Sequence, residues 1–212
     1  MNADRAATAG ETPIATPDGF RALVAAAQAC RQCPAMEGRR RVLGELNGRH
    51  NANVMFIAEA PGRLGGELSG RPLIDDASGR HFTALLAEAG IAREDVFITN
   101  SVLCNPQDAA GRNRKPSRRE LQNCRGWLMQ QIAEVDPTVI LTLGSVALEA
   151  LAYIAPHEFR LRSHAALPQC WAGRTLIPLY HPSPLTRASR TDAQQALDYH
   201  ALGNFLREGK LL

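Results

Sequence analysis

The chain has 212 residues, a formal net charge of +3 and 45% hydrophobic residues. These figures suit one α/β domain that buries roughly 70% of its unfolded surface. Its 17 glycines and 13 prolines show no repeat, which excludes a collagen-like or low-complexity chain. No apolar run approaches the ~18 residues of a membrane span, and the N-terminus lacks an apolar secretory core. A soluble, cytoplasmic protein is expected. Only Lys115 and Lys210 are lysines among the 24 cationic side chains. That arginine excess reads either as a compositional bias or as phosphate contact, because guanidinium grips phosphate with a planar fork. Five cysteines are an odd number for a reducing compartment and argue against a disulfide framework. Metal or cluster ligation is the better first reading.

Residues 1–17 are small and polar and read as a disordered tail, leaving residues 18–212 as one domain. Phe20, Leu23, Val24 and Ala27 then recur at helical spacing behind Asp18, a plausible N-cap. That helix delivers Cys30 and Cys33. Four apolar runs follow and read as buried strands: Val54–Ala58, Val96–Thr99, Val139–Leu143 and Leu176–Tyr180. Helical patterns lie at Gly79–Ala89, Ser117–Glu134 and Ser145–Tyr153, with a last helix at Asp192–Leu206. This alternation predicts a mostly parallel, doubly wound central sheet with helices on both faces.

Ligands of such sheets bind beyond the carboxyl ends of the strands. Glu59-Ala60-Pro61-Gly62 follows the first run and Asn100-Ser101 the second. Gly144-Ser145 follows the third, and His181-Pro182-Ser183-Pro184-Leu185 the fourth. A carboxylate, an amide, a glycine turn and an imidazole are thus expected at one mouth.

Cys30-Arg31-Gln32-Cys33 is a CxxC pair at a helix end, with Cys104 and Cys124 scattered behind it. The set fits structural zinc, a [4Fe–4S] cluster or ordinary thiols. Cys170 stands apart and reads as an inert, semi-buried thiol. Arg112, Arg114, Lys115, Arg118, Arg119 and Arg125 crowd the segment around Cys104 and Cys124. This charge run is either a solvated face or a phosphate-tracking surface, and Arg187 extends it beyond the last strand.

Five blocks in order carry a resemblance. They are Cys30-Arg-Gln-Cys-Pro through Arg39-Arg40-Arg41-Val42-Leu43-Gly44-Glu45 to Phe56-Ile57-Ala58-Glu59-Ala60-Pro61-Gly62; Ser69-Gly70-Arg71-Pro72-Leu73; Thr99-Asn100-Ser101-Val102-Leu103-Cys104-Asn105-Pro106; Cys124-Arg125-Gly126-Trp127-Leu128; and Tyr180-His181-Pro182-Ser183-Pro184-Leu185. From Cys30 to Leu206 the chain resembles the uracil-DNA glycosylase superfamily, and within it the iron–sulfur fourth family. Ala58 stands where the family writes Gly, and Leu73 where it commonly has a Phe that stacks on the base. Asp75-Asp76 resemble the Asp of the related fifth family.

The resemblance implies a [4Fe–4S] cluster on Cys30, Cys33, Cys104 and Cys124, structural because hydrolysis needs no redox turnover. It implies uracil reading by Asn100, a motif carboxylate at Glu59 and an imidazole at His181. Ala60, Leu73, Asp75, Asp76 and Ser183 are the expected neighbours of the base, and Leu185 the wedge. Arg112, Arg114, Lys115, Arg118 and Arg187 are the expected DNA contacts. The implied activity is excision of uracil from single- or double-stranded DNA by a monomer. Two rivals are a uracil-DNA or abasic-site binder without turnover and a zinc-stabilised DNA-binding module. The basic loop 107–117 contains no His that could trap the sugar covalently.

Overall fold

The computed structural model describes residues 17–212. The tail expected at 1–17 therefore lies outside the described residues, except for Pro17, which opens the first helix. Helix α1 runs Pro17–Gln28, so Asp18 sits inside its first turn rather than at the cap.

Five strands form one sheet in the order β2-β1-β3-β5-β4. They are β1 (Val54–Ala58), β2 (Phe97–Asn100), β3 (Val139–Leu143), β4 (Gln169–Trp171) and β5 (Arg174–Leu179). Strands β2, β1, β3 and β5 are parallel, while β4 is an antiparallel edge strand on β5. The mostly parallel sheet is as expected, with differences at its margins. β2 starts one residue late and includes Asn100, and β5 begins at Arg174 and ends at Leu179. β4 is an addition: three residues carry too little periodicity to announce a strand. It holds Cys170 exposed, not semi-buried, because the thiol sits on the open edge.

β1 and β3 are buried at every position, as parallel strands covered on both faces must be. Met55, Ile57 and Ile140 face one core layer with Phe20, Leu128 and Leu151. Phe56, Leu141 and Leu143 face the other, with Phe82, Tyr199 and Leu202. Helices α1, α4 (Arg118–Val135) and α5 (Ser145–Ala152) cover the first face. Helices α3 (Ala77–Ala89) and α7 (Asp192–Glu208) cover the second and pack on each other. Two one-turn helices, α2 (Gly66–Ser69) and α6 (Leu161–His164), lie in connections.

The long helices start where polar side chains cap them. Asp76 accepts from the Gly79 amide at 2.8 Å. Ser117 and Glu120 close a reciprocal capping box on α4, and Thr191 and Gln194 one on α7. The chain leaves β1 toward β2 on one side and then crosses to β3 on the other. The crevice above β1 and β3 is therefore the topological switch point.

Candidate active site

Each expected catalytic group hangs from a strand end at this crevice. Ala58, the last residue of β1, pairs in register with Asn100, the last of β2. Ser101 locks this junction, donating to the Ala58 carbonyl from its amide at 2.8 Å and from its hydroxyl at 2.9 Å. Glu59 and Ala60 leave the sheet at that point. Burial pushes the Glu59 carboxyl up from its ordinary value, and the Lys115 ammonium opposes the shift.

Asn100 is 1% exposed, and neither its Nδ2 nor its Oδ1 has a hydrogen-bond partner among the described residues. Leaving a buried polar group unmatched costs about 1–3 kcal/mol, and here both ends of one carboxamide are open.

At the other side of the crevice, Gly144 turns β3 into α5 with φ 94°, and its amide donates to Leu179 O at 2.8 Å. A Cβ added there would stand 3.3 Å from the His181 Cβ, so this glycine lets the β5 end approach closely. Burial pushes the His181 imidazole down to about 4, with the Asp76 carboxylate opposing. The ring is therefore neutral at pH 7.

Asp76 Oδ1 caps α3, while its Oδ2 lies against the glycine loop: a Cβ on Gly62 would stand 2.3 Å from it. Asp75 takes φ 65°, turns its carbonyl to Arg80 at 2.6 Å and lines a surface depression with Ile74 and Thr83. Leu73 takes φ 48° and packs half-buried against the α3–α7 core layer. The Pro72 and Leu73 carbonyls both accept from Arg93. Ser183 caps the turn Pro184–Thr186 by accepting from the Leu185 amide at 3.3 Å. Leu185 at the tip is 91% exposed.

A second centre lies where α1, the segment after β2 and α4 meet. Cys30, Cys33, Cys104 and Cys124 line one small cavity with Met36, Arg41 and Asn123. Among the described residues no three His, Cys, Asp or Glu side chains form a group that could hold one metal ion. Burial pushes the Cys104 thiol up to about 11 and Cys124 to about 12, each with the other cysteines adding to the rise. Asn123 donates to Cys33 Sγ at 3.2 Å, and Arg41 donates to the Cys30 carbonyl at 2.5 Å. Sequence reading missed both partners. Arg41 lies in a block it quoted, but only the fold shows which of three consecutive arginines turns to the thiols.

Residues 46–201 match the model of the uracil DNA glycosylase superfamily. The chain belongs to this superfamily. It is 36% identical over 160 residues to a Type-4 uracil-DNA glycosylase of Thermotoga maritima, covering 74% of this chain and 78% of that one. It is 34% identical over 165 residues to a Type-4 uracil-DNA glycosylase of Pyrobaculum aerophilum, covering 74% and 80%. It is 31% identical over 196 residues to a Type-5 uracil-DNA glycosylase of Thermus thermophilus, covering 76% and 86%. Resemblance to both the fourth and the fifth type agrees with the mixed motifs in the sequence.

The basic run of this superfamily member is more internally paired than its sequence implies. Arg114 grips Glu120 with two bonds of 2.7 and 2.8 Å, its side chain 30% exposed and that of Glu120 9%. Arg112 pairs with Asp108 at 2.9 Å, and Arg187 with Asp192 at 2.9 Å. The Arg118 guanidinium lies 6.0 Å from the Tyr153 ring centre. Lys115 is exposed and faces Glu59. No described helix is long and apolar enough to cross a membrane.

Proposed function

We propose that the chain flips uracil out of DNA and hydrolyses its N-glycosidic bond, leaving an abasic site. It is an enzyme, a hydrolase of N-glycosyl bonds. The observation that carries the reading is Asn100: a buried amide with donor and acceptor both unmatched, at the carboxyl end of a strand beside the switch point. Its oxygen accepts from uracil N3–H and its nitrogen donates to O4. Cytosine presents the reverse pattern and is refused. Relatives named as glycosylases favour turnover over the binder alternative.

Cleavage sends the C1′–N1 electron pair into the base and leaves cationic character on the sugar. A water molecule adds its oxygen to C1′ and gives up one proton, while the departing uracilate takes up one. His181 serves the base side. As a neutral ring it donates an N–H bond to uracil O2 as negative charge gathers there, with no proton transferred. Glu59 serves the sugar side, as a carboxylate that orients the water or offsets the cation. Leu185 fills the space the base vacates, which suits an apolar tip that nothing in the protein covers. Ala60, Leu73, Asp75, Asp76 and Ser183 line or brace the surroundings of the base. The enzyme acts as a monomer on a DNA strand laid along Arg112, Lys115, Arg118 and Arg187, on a hairpin that Arg114 fastens to α4 through Glu120.

Cys30, Cys33, Cys104 and Cys124 hold a [4Fe–4S] cluster in this reading, with Cys170 excluded by its place on the far sheet edge. Zinc draws four thiolates to within about 3.8 Å of one another. Four thiols lining one cavity match in number the four thiolates that hold a [4Fe–4S] cluster. Bound there, the cluster would pin α1 and α4 to the segment that follows Asn100.

The test is single-turnover excision from a uracil oligonucleotide, with binding to undamaged DNA measured alongside. Asn100→Ala is expected to reduce excision far more than binding, because its bonds form only with a flipped base. Equal loss of both would overturn the assignment, and a wild-type chain that binds uracil-DNA without cleaving it would restore the binder. Iron content is expected to survive Cys170→Ser and to fall in Cys124→Ser; the opposite pattern would overturn the ligand set.

A further inference from the structure

The segment behind Glu59 is held at its far end by the one-turn helix α2, where the Gly65 carbonyl accepts from the Leu68 and Ser69 amides and the Gly66 carbonyl from the Gly70 amide. Between Pro61 and Gly66 it carries three glycines, at 62, 65 and 66, and two of them lie directly against Asp76 Oδ2. Nearer Glu59, bonds run from the Gly65 and Glu67 amides to the Gly62 carbonyl, at 3.2 and 3.0 Å. The Pro61 carbonyl and the Arg63 amide take part in none of these backbone bonds.

A support reaches it from fifty residues away. Asn113 sits in the basic loop, yet its side-chain oxygen accepts from the Arg63 amide at 3.0 Å. The same oxygen accepts from Asn105 Nδ2 at 3.1 Å. That nitrogen also donates to the Pro61 carbonyl at 2.6 Å, and Asn105 itself is 1% exposed. One oxygen thus gathers a backbone donor from the Glu59 segment and a side-chain donor from the segment after Cys104.

The post to which these bonds run is itself firm. Gln107 and Asn113 form a bridge, the Asp108 amide donates to Arg112 O at 2.9 Å, and Arg114 N donates to Pro106 O at 3.1 Å. Arg114 then fastens this small hairpin to α4 through Glu120. An ordinary exposed turn asparagine bonds its own neighbours; this one bonds the loop of a different strand.

We propose that Asn113 is a positioning residue for excision: its side-chain oxygen latches Pro61–Arg63 to the basic hairpin and so holds Glu59 toward the mouth. The role rests on the excision reading above. It gives a polar residue inside an apparent DNA-contact run a different task from its cationic neighbours.

Two variants separate that task from phosphate or DNA contact. Asn113→Ala removes the oxygen and is expected to lower the single-turnover rate at saturating enzyme about tenfold, the scale of a slightly misplaced catalytic group. Affinity for undamaged DNA should stay within about twofold, since no charge is lost. Asn113→Asp keeps an acceptor oxygen there. It should restore most of the rate, while its added negative charge weakens DNA binding. Amide hydrogen exchange across residues 61–66 should quicken in Asn113→Ala and return toward wild type in Asn113→Asp. The proposal is overturned if Asn113→Ala keeps the full rate, if it loses affinity alone, if the Asp variant is as slow as the Ala variant, or if exchange does not change. Were the wild-type chain unable to excise uracil, the excision reading would fall, and the exchange measurement would still decide the latch.

Discussion

At the scale of single residues, burial acts in opposite directions on the two groups assigned to the chemistry. It lifts the Glu59 carboxyl and depresses the His181 imidazole, in both cases by disfavouring the charged form. His181 is neutral above about pH 4, so it adds no titration to the excision rate between pH 5 and 8. In the proposed mechanism Glu59 acts as the anion. Activity should therefore fall as pH drops through a value above its ordinary 4.5. Replacing Lys115 by Met removes the opposing charge and should move that acid limb to still higher pH. A limb near pH 6–7 that disappears in His181→Ala would show that the protonated ring is the working form. In rate, the bond is weakened chiefly by stabilising the leaving base. His181→Ala is thus expected to cost about 10²–10³ in single-turnover excision, and Glu59→Gln less. A dead Glu59→Gln beside an active His181→Ala would reverse the ranking.

At the scale of elements, the basic segment divides into fasteners and free charge. Arg114 belongs to the first kind, because its partner Glu120 is only 7% exposed and also caps α4. Arg114→Ala leaves that carboxylate short of its charged partner and should destabilise the fold by about 1.5–3 kcal/mol, seen as a lower denaturation midpoint. Lys115 and Arg119 are exposed and keep their charge near solvent, whereas Arg112 is held by Asp108. The double variant Lys115→Ala, Arg119→Ala should weaken binding equally for uracil-containing and undamaged duplex. Its log–log salt slope should be shallower by about two, at ~0.9 per lost phosphate contact. An unchanged slope would assign these two cations to a solvated face. The run was legible in the sequence as charge. Its division was not, because the partners Asp108, Glu120 and Tyr153 become partners only through the hairpin and the α4–α5 packing.

At the scale of the whole molecule, two core layers clamp the sheet, and the second depends on a very close helix contact. Gly203 of α7 faces the end of α3: a Cβ there would stand 2.1 Å from the Ala89 carbonyl oxygen. Backbone cannot yield as a side-chain tip can. Gly203→Ala should therefore cost about 1–3 kcal/mol of stability by overpacking, seen as a lower denaturation midpoint. Full stability in that variant would mean that α3 and α7 are freer to separate than their packing implies.

The sequence by itself determined the parallel part of the sheet and the strand ends at which the candidate residues stand. Runs such as Val54–Ala58 and Val139–Leu143 are apolar throughout, and only a strand covered on both faces tolerates that, so the parallel sheet followed from local pattern. Glu59, Asn100 and His181 could be found because each directly follows such a run, and α/β sheets present those positions at one edge. Tertiary structure alone decided what each group experiences. The open hydrogen-bond capacity of Asn100 and the depressed His181 depend on burial by segments distant in the chain. So does the exclusion of Cys170 from a centre the other four cysteines share. Asp76 shows the same limit. As one of two adjacent aspartates it had no distinguishing mark, but α3 makes it a cap and the glycine loop gives its second oxygen a neighbour. Local periodicity reports which face of an element is buried. It carries no record of what lies across the gap, because that is settled by contacts between residues far apart in the chain.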